Sequence, residues 1–291
     1  MPVSFPAHLW FNRRMGTLYL VATPIGNLED ISPRGLRILK EVRFIAAEDT
    51  RVTRKLLTHF DVHTPLTSYF EHNKLTKIDA ILKELANGDV ALVSDAGTPA
   101  INDPGYELVK AALEAGHIVC PIPGPSAPLA ALTASGLPTD SFLYLGYFPH
   151  KASGRCEVLS SVVDLPYTLI FLETPHRLLD ALEDVRSCLG DRQIAVAREL
   201  TKVHEEIWRG TISAALAHFT ENEPRGEFTL VVAGQKAVER ARWTEDKVMI
   251  ALKIGLKLGE SPSAMAARVA AESGWPRRDV YKLAVDASEK L

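Results

Sequence analysis

Residues 15–125 alternate between short apolar runs and longer stretches in which apolar residues recur every three to four positions. The short runs predict buried strands, and the longer stretches predict amphipathic helices. Strands are expected over residues 17–23, 43–48, 64–70, 89–94 and 117–123, and helices over 32–42, 50–60, 74–88 and 105–116. Because this alternation is typical of βαβ units, it predicts a largely parallel sheet with helices on both faces.

Residues 123–138 are expected to form a loop rich in proline and glycine that leads into a helix, and the pattern then restarts. Further strands are expected over 141–148, 167–173, 193–199 and 226–234, with helices over 175–190 and 211–219. From Trp243 onward the sequence predicts three short helices separated by glycine and proline. The sequence thus predicts an α/β protein: a flexible extension (1–14), two α/β domains (15–125 and 126–237, the second with a mixed sheet) and a helical or helix-turn-helix appendage (240–291).

Composition narrows the class of protein. Apolar residues make up 46% of the chain and charged residues 24%, as in a globular protein with a full core. No uncharged apolar run reaches the length of about 18 residues that spans a bilayer, so we expect no membrane association. The three cysteines are scattered, which predicts a reducing, cytoplasmic location and no metal site.

Charge is distributed unevenly. The net charge of −3 gives no general attraction to nucleic acid, yet residues 240–291 hold ten Lys or Arg against seven Asp or Glu. A basic tail is compatible with RNA binding, and a solvated helical surface explains it equally well.

Four loops at the expected carboxyl ends of strands are unusually rich in glycine, proline and polar residues, at 22–27, 46–51, 94–105 and 121–128. Ligands of parallel sheets collect at this edge; glycine admits them close to the backbone, and proline holds a loop in one shape. None of the loops is a P-loop or a dinucleotide-binding turn. Ser126 lacks the G-x-S-x-G elbow, which disfavours a hydrolase.

Six motifs in order carry a family resemblance: LVATPIGNLEDIS, AAEDTR, SDAGTPAINDPG, PIPGPSA, TLIFLETPHRL and ARELTKVHEE. They resemble the tetrapyrrole-methylase superfamily and, within it, the branch that methylates small-subunit ribosomal RNA. The resemblance covers about residues 15–237, and the helical tail also matches that branch. It implies an S-adenosylmethionine-dependent enzyme that methylates the 2′-hydroxyl of a cytidine ribose in the decoding region of 16S rRNA. It also implies a homodimer. We favour the 30S subunit as the form of the substrate, with naked RNA and an assembly intermediate as the alternatives.

The resemblance places the cofactor between the two α/β domains, against backbone groups of these loops. The residues that it assigns to the cofactor are Ile25, Asp95, Ala96, Gly97, Thr98, Ile101, Ser126, Ala127, Glu173, Leu200 and Thr229. Relatives that methylate tetrapyrroles commonly carry an acidic residue where Thr98 stands. In this chain the acid is three positions earlier, at Asp95, so the partner of the methionine portion is left open between the two.

A ribose hydroxyl is a poor nucleophile at neutral pH, so a base or an orienting hydrogen bond is expected. The candidates on the same edge are Glu48 and Asp49, with Glu71, His72 and Asn73 after the third strand. We favour Asp49 as orienter or base, with Glu48 behind it. Asp49 is equally well placed to cap the helix that follows.

Basic residues near these loops are candidates for RNA contact, although side chains of this type are more often simply solvated. They are Arg51, Arg54 and Lys55 after the second strand, His176 and Arg177 after the TLIFLE strand, and Arg277 and Arg278 in the tail. Trp275 could stack on a base but is better explained as packing within the small bundle.

Two other functions compete with rRNA methylation. The same cofactor site could act on a tetrapyrrole-like small molecule or a protein side chain, although a small-molecule enzyme has no evident use for the basic tail. A non-catalytic RNA-binding ribosome factor is the second alternative.

Overall fold

The computed structural model describes residues 16–235 and 242–289. Their contacts divide the chain into two compact units, one on each side of residues 236–241. The first unit holds two β-sheets and the second holds three helices. Both sheets fall in the same unit, so the division into domains at residues 125 and 126 stays a prediction. The predicted extension at residues 1–14 lies outside the described residues.

The first sheet has five parallel strands in the order β3-β2-β4-β1-β5. The strands are β1 (Thr17–Val21), β2 (Phe44–Ala47), β3 (Leu66–Ser68), β4 (Val90–Val93) and β5 (Ile118–Ile122). This order confirms the parallel sheet predicted from the βαβ pattern. It places the loops that follow β1, β2, β4 and β5 at one edge, because the strands all run in the same direction.

Helices cover both faces of this sheet. They are α1 (Pro33–Glu41), α2 (Thr50–His59), α3 (Lys74–Leu85) and α4 (Tyr106–Glu114). Alternate residues along each strand point to opposite faces. Ile45 and Val93 therefore pack with α1 and α2, whereas Leu92 packs with Leu108 of α4 and with α3.

The second sheet has the order β6-β7-β10-β8-β9, in which only the β6–β7 pair is parallel. Its strands are β6 (Phe142–Tyr147), β7 (Thr168–Glu173), β8 (Gln193–Arg198), β9 (Glu206–Thr211) and β10 (Phe228–Val232). The helices are α5 (Ala127–Ser135), α6 (Ala152–Val162), α7 (Leu178–Leu189) and α8 (Ile212–Glu221). The core of one face includes residues of α6, α7 and α8, while α5 packs on the other face. The predicted mixed sheet is confirmed.

Two elements of the second sheet and its helices were absent from the sequence prediction. One is α6, whose helical pattern is weak because the buried Arg155 takes an apolar position and pairs with Asp184 at 2.6 Å. The other is β9, an edge strand whose residues are largely half-exposed. Neither has the clear apolar periodicity on which the prediction depended.

The C-terminal unit consists of α9 (Glu245–Lys257), α10 (Pro262–Ser273) and α11 (Arg277–Glu289). Val248, Met265 and Val280, one from each helix, are fully buried in its core. A three-residue turn joins α10 to α11. The three predicted helices are confirmed. None of the helices in the described parts of the chain combines the length and apolarity needed to cross a bilayer.

Candidate functional site

A cavity of about 350 Å³ lies in the first unit, where the loops of the first sheet face the second sheet. All residues predicted to hold the cofactor line it except Glu173. The lining from the first sheet's loops and the start of α5 is Ile25, Glu48, Asp95, Ala96, Gly97, Thr98, Ile101, Asp103, Ser126, Ala127 and Pro128. The lining from the second sheet and its loops is Tyr144, Tyr147, Leu172, Glu199, Leu200, Lys202, Glu227, Phe228 and Thr229.

The loop after β4 forms one wall and is tied to the loop after β1. Thr23 and Gly97 exchange backbone hydrogen bonds at 2.9 and 3.0 Å. Gly97 has φ of +82°, where a side chain is strained, and a Cβ there would lie 3.5 Å from Ile25 Cγ2. Ala100 and Asn102 also have positive φ, at 67° and 64°. Backbone strain of this kind persists only where the surroundings enforce it, and it clusters at functional sites.

The start of α5 is held against the same loop. Thr98 Oγ1 donates to the carbonyl of Pro125 at 3.1 Å, and Ser126 is the N-cap position of α5. Ser126 and Ala127 are small residues, which leave the first turn of the helix open to the cavity.

The opposite wall is built around Leu200 and also contains backbone strain. Glu199 and Thr201 have φ of 50° and 65°. A Cβ at Gly26 would lie 2.4 Å from Lys202 Cγ, so only glycine allows the loop after β1 to approach this closely. Strained backbone is therefore present on both sides of the cavity.

Glu173 does not line the cavity. Its side chain is fully buried and pairs with Arg177 at 3.0 Å. Its Oε1 also accepts from the amide of Thr174 at 2.7 Å. This geometry favours a structural role for Glu173, so its assignment to the cofactor stays a prediction.

The two predicted catalytic carboxylates have different surroundings. Glu48 lines the cavity, and its Oε2 accepts from the amide of Asp95 at 3.2 Å. Burial raises the pKa of Glu48 above its usual range. Asp49 caps α2 by accepting from the amide of Arg51, and it binds the Arg51 guanidinium at 2.6 Å. These hydrogen bonds lower the pKa of Asp49 to about 2, which makes its carboxylate a weak base.

Asp103 is a cavity residue that the sequence prediction did not assign to the site, although it lies in the loop at 94–105. Burial, and then the neighbouring charge of Glu48, raise the pKa of Asp103 to about 7. Asp95 and Glu227 act in the same direction. Only the fold brings these carboxylates together, because Glu227 belongs to the second sheet's loops.

The predicted RNA-contacting residues fall into groups with different exposure. Arg51, Arg54 and Lys55 line a shallow groove along α2 with Thr58 and His59. All three basic side chains are exposed, and the helix starts at the cavity's edge.

His176 is exposed, whereas the Arg177 side chain is only 16% exposed. Arg177 donates to the carbonyls of Phe148 and Pro149 and pairs with Glu173. A guanidinium with these partners is poorly placed to reach a phosphate.

In the C-terminal unit, Arg277 and Arg278 are exposed at the start of α11. Trp275 packs within this bundle: its Nε1 donates to the carbonyl of Trp243 at 2.7 Å, and the Arg242 guanidinium stacks on its ring. No group of three or more His, Cys, Asp or Glu side chains in residues 16–235 and 242–289 is arranged to hold a metal ion.

A model of the tetrapyrrole (corrin/porphyrin) methylases matches residues 17–216. The chain belongs to the tetrapyrrole methylase family. The family match spans the first sheet, four of the five strands of the second sheet, and every loop that lines the cavity up to Lys202. Tetrapyrrole methylases use S-adenosylmethionine, so S-adenosylmethionine is the cofactor of this chain.

Individual relatives support this placement in the tetrapyrrole methylase family. The ribosomal RNA small subunit methyltransferase I of Synechocystis sp. is 48% identical over 94% of this chain and 98% of its own length. The protein of the same name from Halalkalibacterium halodurans is 47% identical over 92% and 94%. The solved structure of diphthine synthase shares the fold, with a TM-score of 0.58 and 16% identity over 75% of this chain and 90% of that chain.

Proposed function

We propose that this tetrapyrrole methylase transfers the methyl group of S-adenosylmethionine to the 2′-hydroxyl of a cytidine ribose in the decoding region of 16S rRNA. The observation that carries the proposal is the identity of 41–48% to proteins named ribosomal RNA small subunit methyltransferase I, over more than nine-tenths of this chain. Those proteins match both the first unit, which contains the cavity, and the helical tail.

The cavity fits the cofactor in size and chemistry. Its volume of about 350 Å³ falls in the range of small-molecule sites, about 300–1,000 Å³. Ala96, Gly97 and Ala127 are small residues on one wall, and they leave room for a ligand to approach the backbone there. The nearby carboxylates of Asp95 and Glu48 favour a cationic ligand, and the sulfonium of S-adenosylmethionine is a cation.

We assign the cofactor to the predicted residues that line this cavity. The loop after β4, from Asp95 to Thr98, and the start of α5 at Ser126 and Ala127 would hold it from one side. Leu200 and Thr229 would hold it from the other. The bound cofactor supplies an activated methyl group, so the protein needs only to position the ribose oxygen and manage its proton.

The basic groove along α2 supports RNA as the acceptor. Arg54 and Lys55 are exposed on the helix that begins beside Glu48 and Asp95 at the cavity. Phosphates that flank a nucleotide in the cavity would thus meet cations on α2, with an affinity that falls as salt rises. Arg277 and Arg278 are proposed to add phosphate contacts from the tail.

We further propose that the substrate is the RNA within the 30S subunit and that the enzyme is a homodimer. Incubation with unmodified 30S subunits and methyl-labelled S-adenosylmethionine tests the substrate and the position together. The account predicts a single 2′-O-methylated cytidine in the decoding region. Label on a base, on a protein or nowhere would refute it.

Deletion of residues 240–291 distinguishes rRNA from a small-molecule or protein acceptor. Loss of the tail should weaken rRNA methylation and leave S-adenosylmethionine binding intact, because every residue that lines the cavity lies in the first unit. An enzyme that acts on a small acceptor would keep its activity without the tail. A non-catalytic factor would show no methyl transfer in either form.

A further inference from the structure

We propose that Asp103 is the general base that accepts the proton of the attacking ribose hydroxyl. The inference rests on the proposed function, because it assumes an acceptor hydroxyl in the cavity. Asp103 lines the cavity on the same loop as the proposed cofactor residues Asp95 to Thr98.

The backbone around Asp103 fixes its position. Asn102 adopts φ of +64°, and Pro104 restricts the chain on the other side. The Asn102 side chain packs against the backbone of Gly146 on β6, where an added Cβ would lie 2.4 Å from Asn102 Nδ2. The Asp103 carboxyl is therefore held near the second sheet, where the loops of the first sheet face it.

The groups that face Asp103 come from several elements. Glu48 follows β2, Asp95 follows β4, and Glu227 precedes β10. Ser94 hydrogen-bonds the carboxyl. The other ionisable residues in the lining are Tyr144, Tyr147, Glu199 and Lys202, of which Lys202 pairs with Glu199 at 2.8 Å. Partial burial of the Asp103 carboxyl and the negative charges of Glu48, Asp95 and Glu227 all disfavour its ionised form. These effects together raise the pKa of Asp103 to about 7.

The alternative bases are less suitable. Asp49 is absent from the cavity lining and is bound by Arg51. A carboxylate with a pKa near 2 takes a proton poorly at neutral pH, whereas a base with a pKa near the working pH is efficient. Glu48 already accepts from the Asp95 amide, which orients it towards the loop.

The step balances without any further reactant. The ribose oxygen forms a bond to the methyl carbon as the bond from that carbon to sulfur breaks, and the sulfur leaves as a neutral thioether. The hydroxyl proton passes to the ionised Asp103 carboxylate, which later releases it to solvent. The positive charge of the sulfonium favours the ionised form of Asp103 before the step.

The test compares wild type, Asp103→Asn and Asp103→Glu in single-turnover methylation of 30S subunits across pH 5–9, at saturating S-adenosylmethionine. Calorimetry measures cofactor binding by each protein separately. Asp79→Asn, an exposed aspartate on α3, is the matched control and should behave as wild type.

We expect the wild-type rate to rise with pH until Asp103 is ionised and then to level. Asp103→Asn should lower the rate by about 100-fold or more and remove this rise, with cofactor binding retained. Asp103→Glu should restore part of the rate together with the rise. Glu227→Gln should move the rise to lower pH, because it removes a neighbouring negative charge.

A rate for Asp103→Asn within threefold of wild type would overturn the assignment. So would a parallel loss of cofactor binding, which would make Asp103 a binding residue. If wild type binds the cofactor but methylates no 30S subunit, the proposed function fails and the inference fails with it. Failure of the proposed function is thus seen with the wild-type protein alone, without any Asp103 variant.

Discussion

The backbone amide of Asp49 donates to Asp95 Oδ1 at 2.9 Å. Because β2 and β4 are parallel neighbours, this bond joins the loops at their carboxyl ends. A second bond in the opposite direction, from the Asp95 amide to Glu48 Oε2, makes the link reciprocal. The acidic residues of the two loops are thus fixed as one edge of the cavity, while the Asp49 side chain turns to Arg51.

Substitutions of Asp49 should separate its capping role from any catalytic role. Asparagine is as good an N-cap as aspartate, so Asp49→Asn should keep the melting temperature and most of the methylation rate. Asp49→Ala loses the cap on the Arg51 amide and should lower the melting temperature by a few degrees. Thermal denaturation and single-turnover rates check both variants. A loss of rate in Asp49→Asn as large as that in Asp103→Asn would favour Asp49 as the base.

Gly97→Val should abolish cofactor binding because the new side chain enters the cavity beside Ile25. The positive φ also strains any non-glycine residue there, at a cost of about 1–2 kcal/mol. Gly136→Val is the matched control: its φ of +78° is also in the left-handed region, but a Cβ there meets nothing within 4 Å. Calorimetry with S-adenosylmethionine should show binding only for the control. Normal affinity in Gly97→Val would contradict the placement of the cofactor.

Arg177→Met should reduce stability rather than RNA affinity. It leaves the fully buried Glu173 without its ion-pair partner, and breaking a buried pair costs about 3–5 kcal/mol. Denaturant unfolding measures the loss, and His176→Ala, a change at the exposed neighbour, should leave the midpoint nearly unchanged. If Arg177→Met unfolds like wild type but binds RNA weakly, the phosphate role predicted from sequence is correct instead.

The strands and helices that the sequence predicted best are those with a clear apolar signal, such as the continuous apolar run of β4 and the helical period of α1. The lengths of these elements, and the positions of the loops that line the cavity, were predicted from residues that are neighbours in sequence. Asp103 could not be found in this way, because its pKa depends on Glu48 and Glu227, which are distant in sequence.

The RNA contact predicted for Arg177 stays a prediction, because the sequence does not show the surroundings of this side chain. In sequence it is a basic residue at a helix start, and only the fold shows that carbonyls and Glu173 surround it. The role predicted for Asp49 also stays a prediction, and the sequence does not show that Arg51 binds its side chain.

Replacement of Arg277 and Arg278 by glutamine should weaken rRNA binding and reduce its salt dependence by up to about two units of slope. Lys253 and Lys257 on α9 are also exposed and provide a control with the same loss of charge. Filter binding at several salt concentrations compares the two double variants. An equal effect of both would assign the tail a general electrostatic role rather than a contact through α11.

Asp103→Asn should stabilise the protein at alkaline pH. A carboxyl with its pKa raised from 3.8 to about 7 contributes stability that is complete below pH 4 and is lost as pH rises through 7. The asparagine variant avoids that loss and should gain about 1 kcal/mol at pH 8, once solvent screening is allowed for. Unfolding at pH 5 and pH 8 tests this, and no gain at pH 8 would mean that Asp103 has an ordinary pKa.

The proposed methyl transfer requires S-adenosylmethionine to lie between the two sheets, against backbone of the loop after β4 and the start of α5. A crystal structure with S-adenosylmethionine tests it directly. We predict cofactor density in contact with Gly97, Thr98 and Ala127, with the methyl group accessible from the side of Asp103. An empty cavity with cofactor density elsewhere on the protein would contradict the account.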